Sequence, residues 1–229
     1  FLVDPYWPKP LPNNWILGRT IGVDVDARDH VFIVHRDQDS MFGGATEIGL
    51  KLGVSGCCTP APPIIEFDPA GNVVNAWGGP GDGFTWPASN HGIDVAPNGN
   101  VWIGGHGGGD SHVLVFTGDG QFVAEYGEPG NAPDSSATNH FSMVAEIEVD
   151  AMTNEVYLAD GYGNKRIAVI DANTGAFKRF WGAYGNAPED GRVPYTPGEP
   201  LPTQFRGPVH CATPSNDGLL YVCDRGSDR

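Results

Sequence analysis

Short apolar runs alternate with polar, Gly-containing turns along most of the chain, and the alternation itself repeats. Gly92-Ile93-Asp94-Val95 and Val101-Trp102-Ile103-Gly104-Gly105 flank a Pro97-Asn98-Gly99-Asn100 turn. The same design recurs as GVDVDARDHVFIVH (22–35), EIEVDAMTNEVYLAD (146–160) and CATPSNDGLLYVCD (211–224). A second pattern follows each of the first three copies: IIEFDPAGNVVNAWG (64–78), VLVFTGDGQFVAEYG (113–127) and IAVIDANTGAFKRFWG (167–182). Period-two alternation around Asn-Gly, Asp-Gly or Thr-Gly turns predicts antiparallel hairpins. Two hairpins per repeat predict a four-stranded sheet, and such sheets repeated about an axis are the blades of a β-propeller.

The expected fold is therefore all-β, with about three and a half blades in this chain. Blade 1 spans 21–78 and contains a long insert, 37–63; blade 2 spans 91–127 and blade 3 spans 145–182. Blade 4, 210–229, is partial. Residues 1–20, rich in Pro and Trp, are expected to be extended against the first blade. A connection as long as 37–63 inside a compact propeller predicts a functional loop or lid. Three and a half blades leave strand edges unpaired. The first residue is Phe1, not Met. The expectation is an N-terminal portion of a longer propeller; self-association with a second copy and a truncated product are the alternatives.

Composition changes this picture mainly by exclusion. The 229 residues carry a formal net charge of −15, which opposes binding to nucleic-acid phosphates or to an anionic membrane. No apolar run approaches the roughly 18 residues of a membrane span. Cys211 and Cys223 are symmetric about Asp217, so a disulfide across one hairpin is expected. Cys57 and Cys58 are adjacent in a Gly- and Pro-flanked loop, either as a vicinal disulfide or as two thiols. The absence of Cys-x-x-Cys argues against a thiolate zinc site. The cysteines lean toward an oxidising, extracellular or periplasmic setting.

Superposing the inner hairpins brings scattered polar residues to one place. Ile21, His91, Ala145 and His210 fall just before the first strand; Arg36, His106, Gly161 and Arg225 fall just after the second, with Tyr162 one further on. These positions are expected to ring one mouth of the channel. His91 and His210 lie in alternate blades, so blade 6 of a six-bladed ring would complete a three-histidine zinc site with an open position. Arg36 and Arg225 suit a carboxylate, and Tyr162 suits a general base. His106, Asp110 and His112 form a competing metal cluster. Asp24, Asp26, Asp94, Glu146 and Glu148 are expected to be turn or channel groups.

At these residues the chain resembles a known family. The repeats resemble NHL repeats, and NHGIDV (90–95), FIVHR (32–36), DGYGNKR (160–166) and PVH…VCDR (208–225) resemble the peptidylglycine alpha-amidating lyase branch. The resemblance covers most of residues 20–229. It implies a six-bladed NHL-type propeller that cleaves peptidyl-α-hydroxyglycine into a peptide amide and glyoxylate. It implies that His91 and His210 are two of three zinc ligands, the third not being in this chain. Tyr162 matches the catalytic tyrosine, Arg36 and Arg225 the active-site arginines. The backbone carbonyls of Val23 and Ile93 match a structural calcium site. The implied partner is a small-molecule or peptide substrate bearing a carboxylate. Two alternatives stand beside this: a non-catalytic secreted binding or scaffold module, and a calcium-dependent lactonase-like hydrolase. The latter would want carboxylate and Asn ligands at the channel.

Overall fold

The computed structural model describes residues 2–36, 56–130 and 134–229. A short strand, β1 (Trp15–Ile16), precedes the first four-stranded sheet. That sheet is built from β2 (Thr20–Val25), β3 (Val31–His35), β5 (Ile64–Phe67) and β6 (Val73–Trp77), hydrogen-bonded in that order. Between them β4 (Thr59–Pro60) pairs in parallel with β1. Residues 37–55 of the expected insert lie outside the described residues. The second sheet runs β7 (Asn90–Val95), β8 (Val101–Gly105), β9 (His112–Phe116) and β10 (Phe122–Gly127). The third runs β11 (Val144–Asp150), β12 (Glu155–Asp160), β13 (Arg166–Asp171) and β14 (Phe177–Trp181). A two-stranded sheet of β15 (Val209–Pro214) and β16 (Leu220–Asp224) follows. All pairs within these four sheets are antiparallel, and the architecture is that of a partial β-propeller.

The tight turns explain why the strands double back where they do. In the inner hairpins one position is left-handed in every blade: Asp29 (φ 61°), Gly99 (φ 84°), Asn154 (φ 56°) and Gly218 (φ 85°). Asp, Asn and Gly are the residues that tolerate this conformation, so the composition of each turn fixes its geometry.

The blades stack face to face, and the core lies between them. Phe32, Val34 and Ile64 meet Ile93, Val101, Ile103, Leu114 and Phe116 between the first two sheets. Trp102, Val113 and Val115 meet Val144, Ile147, Val156, Leu158 and Ile170 between the second and third. Ala159, Ile167 and Val169 meet Val209 and Ala212 at the next interface. Because the middle strands are covered on both faces, runs such as HVLVF in β9 are buried at every position. The N-terminal segment closes the outer face of the first sheet, where Trp7 lies 5.5 Å from Phe67. The segment packs there through turns, with Asn13 and Asn14 left-handed (φ 57° and 53°), as well as through the short strand β1.

Candidate active site

Each innermost strand carries one extra residue relative to its partner. Thr20 pairs with His35 but Gly22 with Val34; Val144 pairs with Asp160 but Glu146 with Ala159; Val209 pairs with Asp224 but Cys211 with Cys223. The extra residues are Ile21, Ala145 and His210. In β7 the shift falls between Asn90 and Ile93 and contains His91. Such a bulge re-aims a side chain away from the regular alternation of the pleat. The histidines expected just ahead of the strands therefore sit inside them, at bulges, which corrects the sequence expectation. The register shift was invisible because alternation survives on either side of it.

The bulges bring His91 and His210 to one oxygen. His91 Nδ1 lies 2.7 Å from the Ala145 carbonyl, which can only accept, so Nε2 is the bare nitrogen. That Nε2 is 3.1 Å from the Tyr162 hydroxyl, and His210 Nε2 is 3.0 Å from the same oxygen. Arg225 Nη1 donates to it at 3.1 Å, with the guanidinium over the phenol ring at 5.2 Å. His106 completes the surround, its ring 5.0 Å from that of Tyr162 and 5.1 Å from that of His91. Residues from three blades thus converge as the superposition implied.

Tyr162 is held by a buried polar network beneath its loop. Asp160 and Arg166 are fully buried and paired at 2.8 Å. Asp160 also accepts from Asn164 Nδ2 at 2.8 Å and from the Ser142 N–H at 2.7 Å. Arg166 Nη1 donates to the carbonyls of Ser135 and Ala137, and Nη2 donates to that of His140. Both charges of the pair are thus multiply hydrogen-bonded, the condition for a buried pair to rigidify its surroundings, while Asn164 Oδ1 has no partner among the described residues. In blades 2 and 4 the backbone N–H of His106 and Arg225 bonds to Ser89 and Pro208. In blade 3 the corresponding bond, to Met143, comes from Tyr162 and not from Gly161. A side chain at Gly161 would collide with the Val209 backbone, so glycine is required there and the tyrosine is advanced by one.

Arg36 enters from the first blade. Its Nε donates to the Asn90 carbonyl at 3.2 Å, and its Nη2 lies 2.9 Å from His106 Nε2. Among the described residues, neither Arg36 nor Arg225 has a carboxylate within ion-pair distance. Burial, reinforced by neighbouring charges that include Arg36, pushes His91 down to about 4. His106 and His210 are also lowered, first by burial and then by Arg36 and Arg225 respectively. Three neutral imidazoles and two unpaired guanidiniums make a cationic site in a strongly acidic protein.

Further along the same inner strands the sign reverses. Asp24 accepts the Val95 N–H at 2.5 Å, Asp94 accepts the Val149 N–H at 3.3 Å, and Glu146 accepts the Ala212 N–H at 2.5 Å. Asp94 Oδ2 is buried and has no hydrogen-bond partner among the described residues. Burial and the neighbouring Asp24 and Glu148 push Asp94 up to about 8. Burial and the neighbouring Glu146 and Asp24 push Glu148 up to about 7. Val23 and Ile93 lie at equivalent rungs beside this cluster, paired with Ile33 and Ile103.

The competing cluster in the second blade dissolves. Asp110 accepts from the N–H groups of Gly107, Ala88 and Ser89, and His112 Nε2 bonds to the Thr85 carbonyl at 2.6 Å. Those two residues brace the loop entering the blade. A different set was missed: Asp26, His30 and Glu66 offer ligand atoms all within 4.8 Å of one another. Arg28 fills that cluster, bonding Asp26 at 2.6 Å and Glu66 at 3.0 Å. Its only signal in the sequence was an Asp-x-Arg-x-His turn opposite an acidic strand position. Cys211 and Cys223 are disulfide-bonded across β15 and β16, and Cys57 is bonded to Cys58.

No protein-family model matches the chain. In sequence it is 26% identical over 236 residues to peptidyl-glycine alpha-amidating monooxygenase A of Xenopus laevis, over 99% of this chain and 22% of that protein. It is 24% identical over 238 residues to NHL repeat-containing protein 3 of Homo sapiens, over 100% of this chain and 55% of that protein. It therefore spans about a fifth of the first relative and about half of the second. A protein of unknown function from Bacteroides caccae matches with a TM-score of 0.52 at 13% identity, covering 90% of this chain and 56% of that one. That likeness concerns the fold alone. The chain is thus a partial β-propeller whose relatives include an amidating enzyme and an NHL-repeat protein.

Proposed function

We propose that the chain carries the site of a metal-dependent lyase that cleaves a C–N bond in a carboxylate-bearing α-hydroxyglycine substrate. The observation that carries this reading is the Tyr162 hydroxyl, met by the bare Nε2 of His91, by His210 Nε2 and by Arg225. The donor set fits zinc. His91 Nδ1 is locked to a carbonyl, as ligating histidines usually are, and burial keeps the imidazoles neutral at physiological pH. Zinc held by His91 and His210, with a third ligand from outside this chain, would supply Lewis-acid polarisation of the substrate hydroxyl.

The chain's own groups do the remainder. Arg36, with no carboxylate partner among the described residues, pairs with the substrate carboxylate. Arg225 donates to the Tyr162 oxygen and holds it in place. Tyr162 takes the proton of the α-hydroxyl. The hydroxyl-bearing carbon becomes the aldehyde carbon of glyoxylate as its bond to nitrogen breaks. The nitrogen keeps the electron pair and takes up a proton, leaving a peptide amide.

Calcium is the second cofactor proposed, on the backbone carbonyls of Val23 and Ile93. The unpartnered Asp94 oxygen and the acidic residues around it favour a hard cation there. The two disulfides support an extracellular or periplasmic setting. No helix among the described residues is long and apolar enough to cross a membrane. Net acidity supports a substrate that is neither nucleic acid nor lipid. The test is metal analysis of the purified protein, followed by glyoxylate release from a peptidyl-α-hydroxyglycine. Stoichiometric zinc lost in His91→Ala, together with release of glyoxylate, supports the reading. A protein that binds zinc but forms no glyoxylate removes this substrate class, and one that binds no zinc removes the mechanism.

A further inference from the structure

We propose that His106 is a positioning residue for Arg36, fixing which edge of the guanidinium faces an incoming carboxylate. The inference rests on the reading above that Arg36 takes the substrate carboxylate, and it adds a residue which that reading does not use. Arg36 is tethered at two points, Nε to the Asn90 carbonyl at 3.2 Å and Nη2 to His106 Nε2 at 2.9 Å. Both tethers are neutral acceptors, so the positive charge is oriented without being cancelled. Its Nη1 makes no hydrogen bond among the described residues and remains for a ligand.

The tethers are themselves anchored. Asn90 is buried and donates through Nδ2 to the His35 carbonyl at 3.0 Å, which ties this point to the end of β3. His106 Nδ1 lies 3.2 Å from Arg36 Nη2 and 3.4 Å from the Ser89 carbonyl; of these only the carbonyl can accept, so hydrogen on Nδ1 leaves the nearer Nε2 lone pair, at 2.9 Å, for Arg36. The His106 ring also packs against the rings of Tyr162 and His91, which limits its rotation. A side chain without an acceptor at position 106 would free Nη2 and let the guanidinium swing on its flexible stem. A side chain with an acceptor at similar reach would hold it. That contrast separates positioning from mere space-filling.

The experiment compares wild type, His106→Ala and His106→Gln for melting temperature, zinc content and calorimetric binding of glycolate, a minimal α-hydroxy carboxylate. KM and kcat for a peptidyl-α-hydroxyglycine are measured alongside. A hydrogen bond to a charged group is worth enough to predict about tenfold weaker glycolate binding in His106→Ala, with KM raised about tenfold and kcat changed less than about threefold. Zinc content and melting stay near wild type, and His106→Gln recovers glycolate affinity to within about twofold of wild type. Unchanged glycolate affinity in His106→Ala overturns the proposal, as does failure of wild type to bind glycolate. Loss of zinc in His106→Ala also overturns it, because the residue would then be a ligand. Absence of lyase turnover with a His106-dependent glycolate site removes the lyase reading and leaves the positioning role standing.

Discussion

The hydroxyl of Tyr162 lies 3.1 Å from Nε2 of His91, although the two residues belong to different blades and are 71 positions apart. The contact depends on the bulge in β7 and on the one-residue advance that Gly161 imposes in blade 3. Tyr162→Phe keeps the ring that packs against His91, His106 and His210 and removes only the oxygen. The expected result is a melting temperature within roughly 2 °C of wild type, since a half-buried hydroxyl contributes about 1 kcal/mol or less. Glyoxylate release is expected to fall by about 10²–10⁴-fold, the usual worth of a positioned general base. Zinc content should be unchanged, which distinguishes loss of the base from loss of the site.

The Asp160–Arg166 pair offers a stability test that does not depend on the reaction. Both partners are fully buried, and every other group in the network is a neutral donor or acceptor. Asp160→Asn leaves the guanidinium charge without compensation and is expected to cost about 3–5 kcal/mol. Urea denaturation should register that loss in the midpoint. Asp160→Asn combined with Arg166→Met is expected to be less destabilising than the single change, because the stranded charge is gone. Additive losses would show that the two residues act independently.

The hairpins could be read from the sequence because each couples two local signals, period-two alternation and a turn residue that tolerates positive φ. Asp29, Gly99, Asn154 and Gly218 mark the same turn in each inner hairpin. The cross-strand disulfide was readable for the same reason, since symmetry about the turn fixes which residues face each other. The convergence of His91, His210, Tyr162, Arg36 and Arg225 followed from alignment of the repeats alone. Other contacts had no local signature. Arg36 meets His106 across 70 residues, and Asp160 binds the Ser142 N–H only because the entering loop folds back over it. Asp110 looked like a metal ligand because composition does not reveal that three backbone N–H groups already occupy it.

The Cys211–Cys223 disulfide closes a short loop at the last described hairpin, with sequence separation 12. Loop-closure entropy for a ring of that size corresponds to about 3 kcal/mol. Cys211→Ser with Cys223→Ser is therefore expected to lower the denaturation midpoint under oxidising conditions. It should also remove most of the sensitivity of wild type to a reductant. Retention of that sensitivity in the double variant would assign it to Cys57 and Cys58 instead.

Pro214 explains an irregularity in the inner strands and leads to a pH prediction. Asp24 and Asp94 each accept a backbone N–H from the next blade, that of Val95 and of Val149. Glu148 occupies the equivalent position in blade 3, but the residue corresponding to Val95 and Val149 in blade 4 is Pro214, which has no N–H to give. Glu146 bonds to Ala212 instead, and burial together with Glu146 and Asp24 raises Glu148 to about 7. A carboxyl whose folded value is raised gives its full contribution below the unfolded value near 4.5. That contribution is lost as pH rises through about 7. Wild type, stripped of metal with a chelator, is thus expected to melt lower at pH 8.5 than at pH 5.5. Glu148→Gln removes one charge from the cluster and is expected to raise the melting temperature at pH 8.5 by roughly 3 °C, about 1 kcal/mol for a chain of this size. At pH 5.5, one unit above the unfolded value, only part of that loss has accumulated, so the substitution should raise the melting temperature by less than half as much. Thermal denaturation at the two pH values reads the difference directly, and an equal shift at both would assign the effect to packing instead of charge.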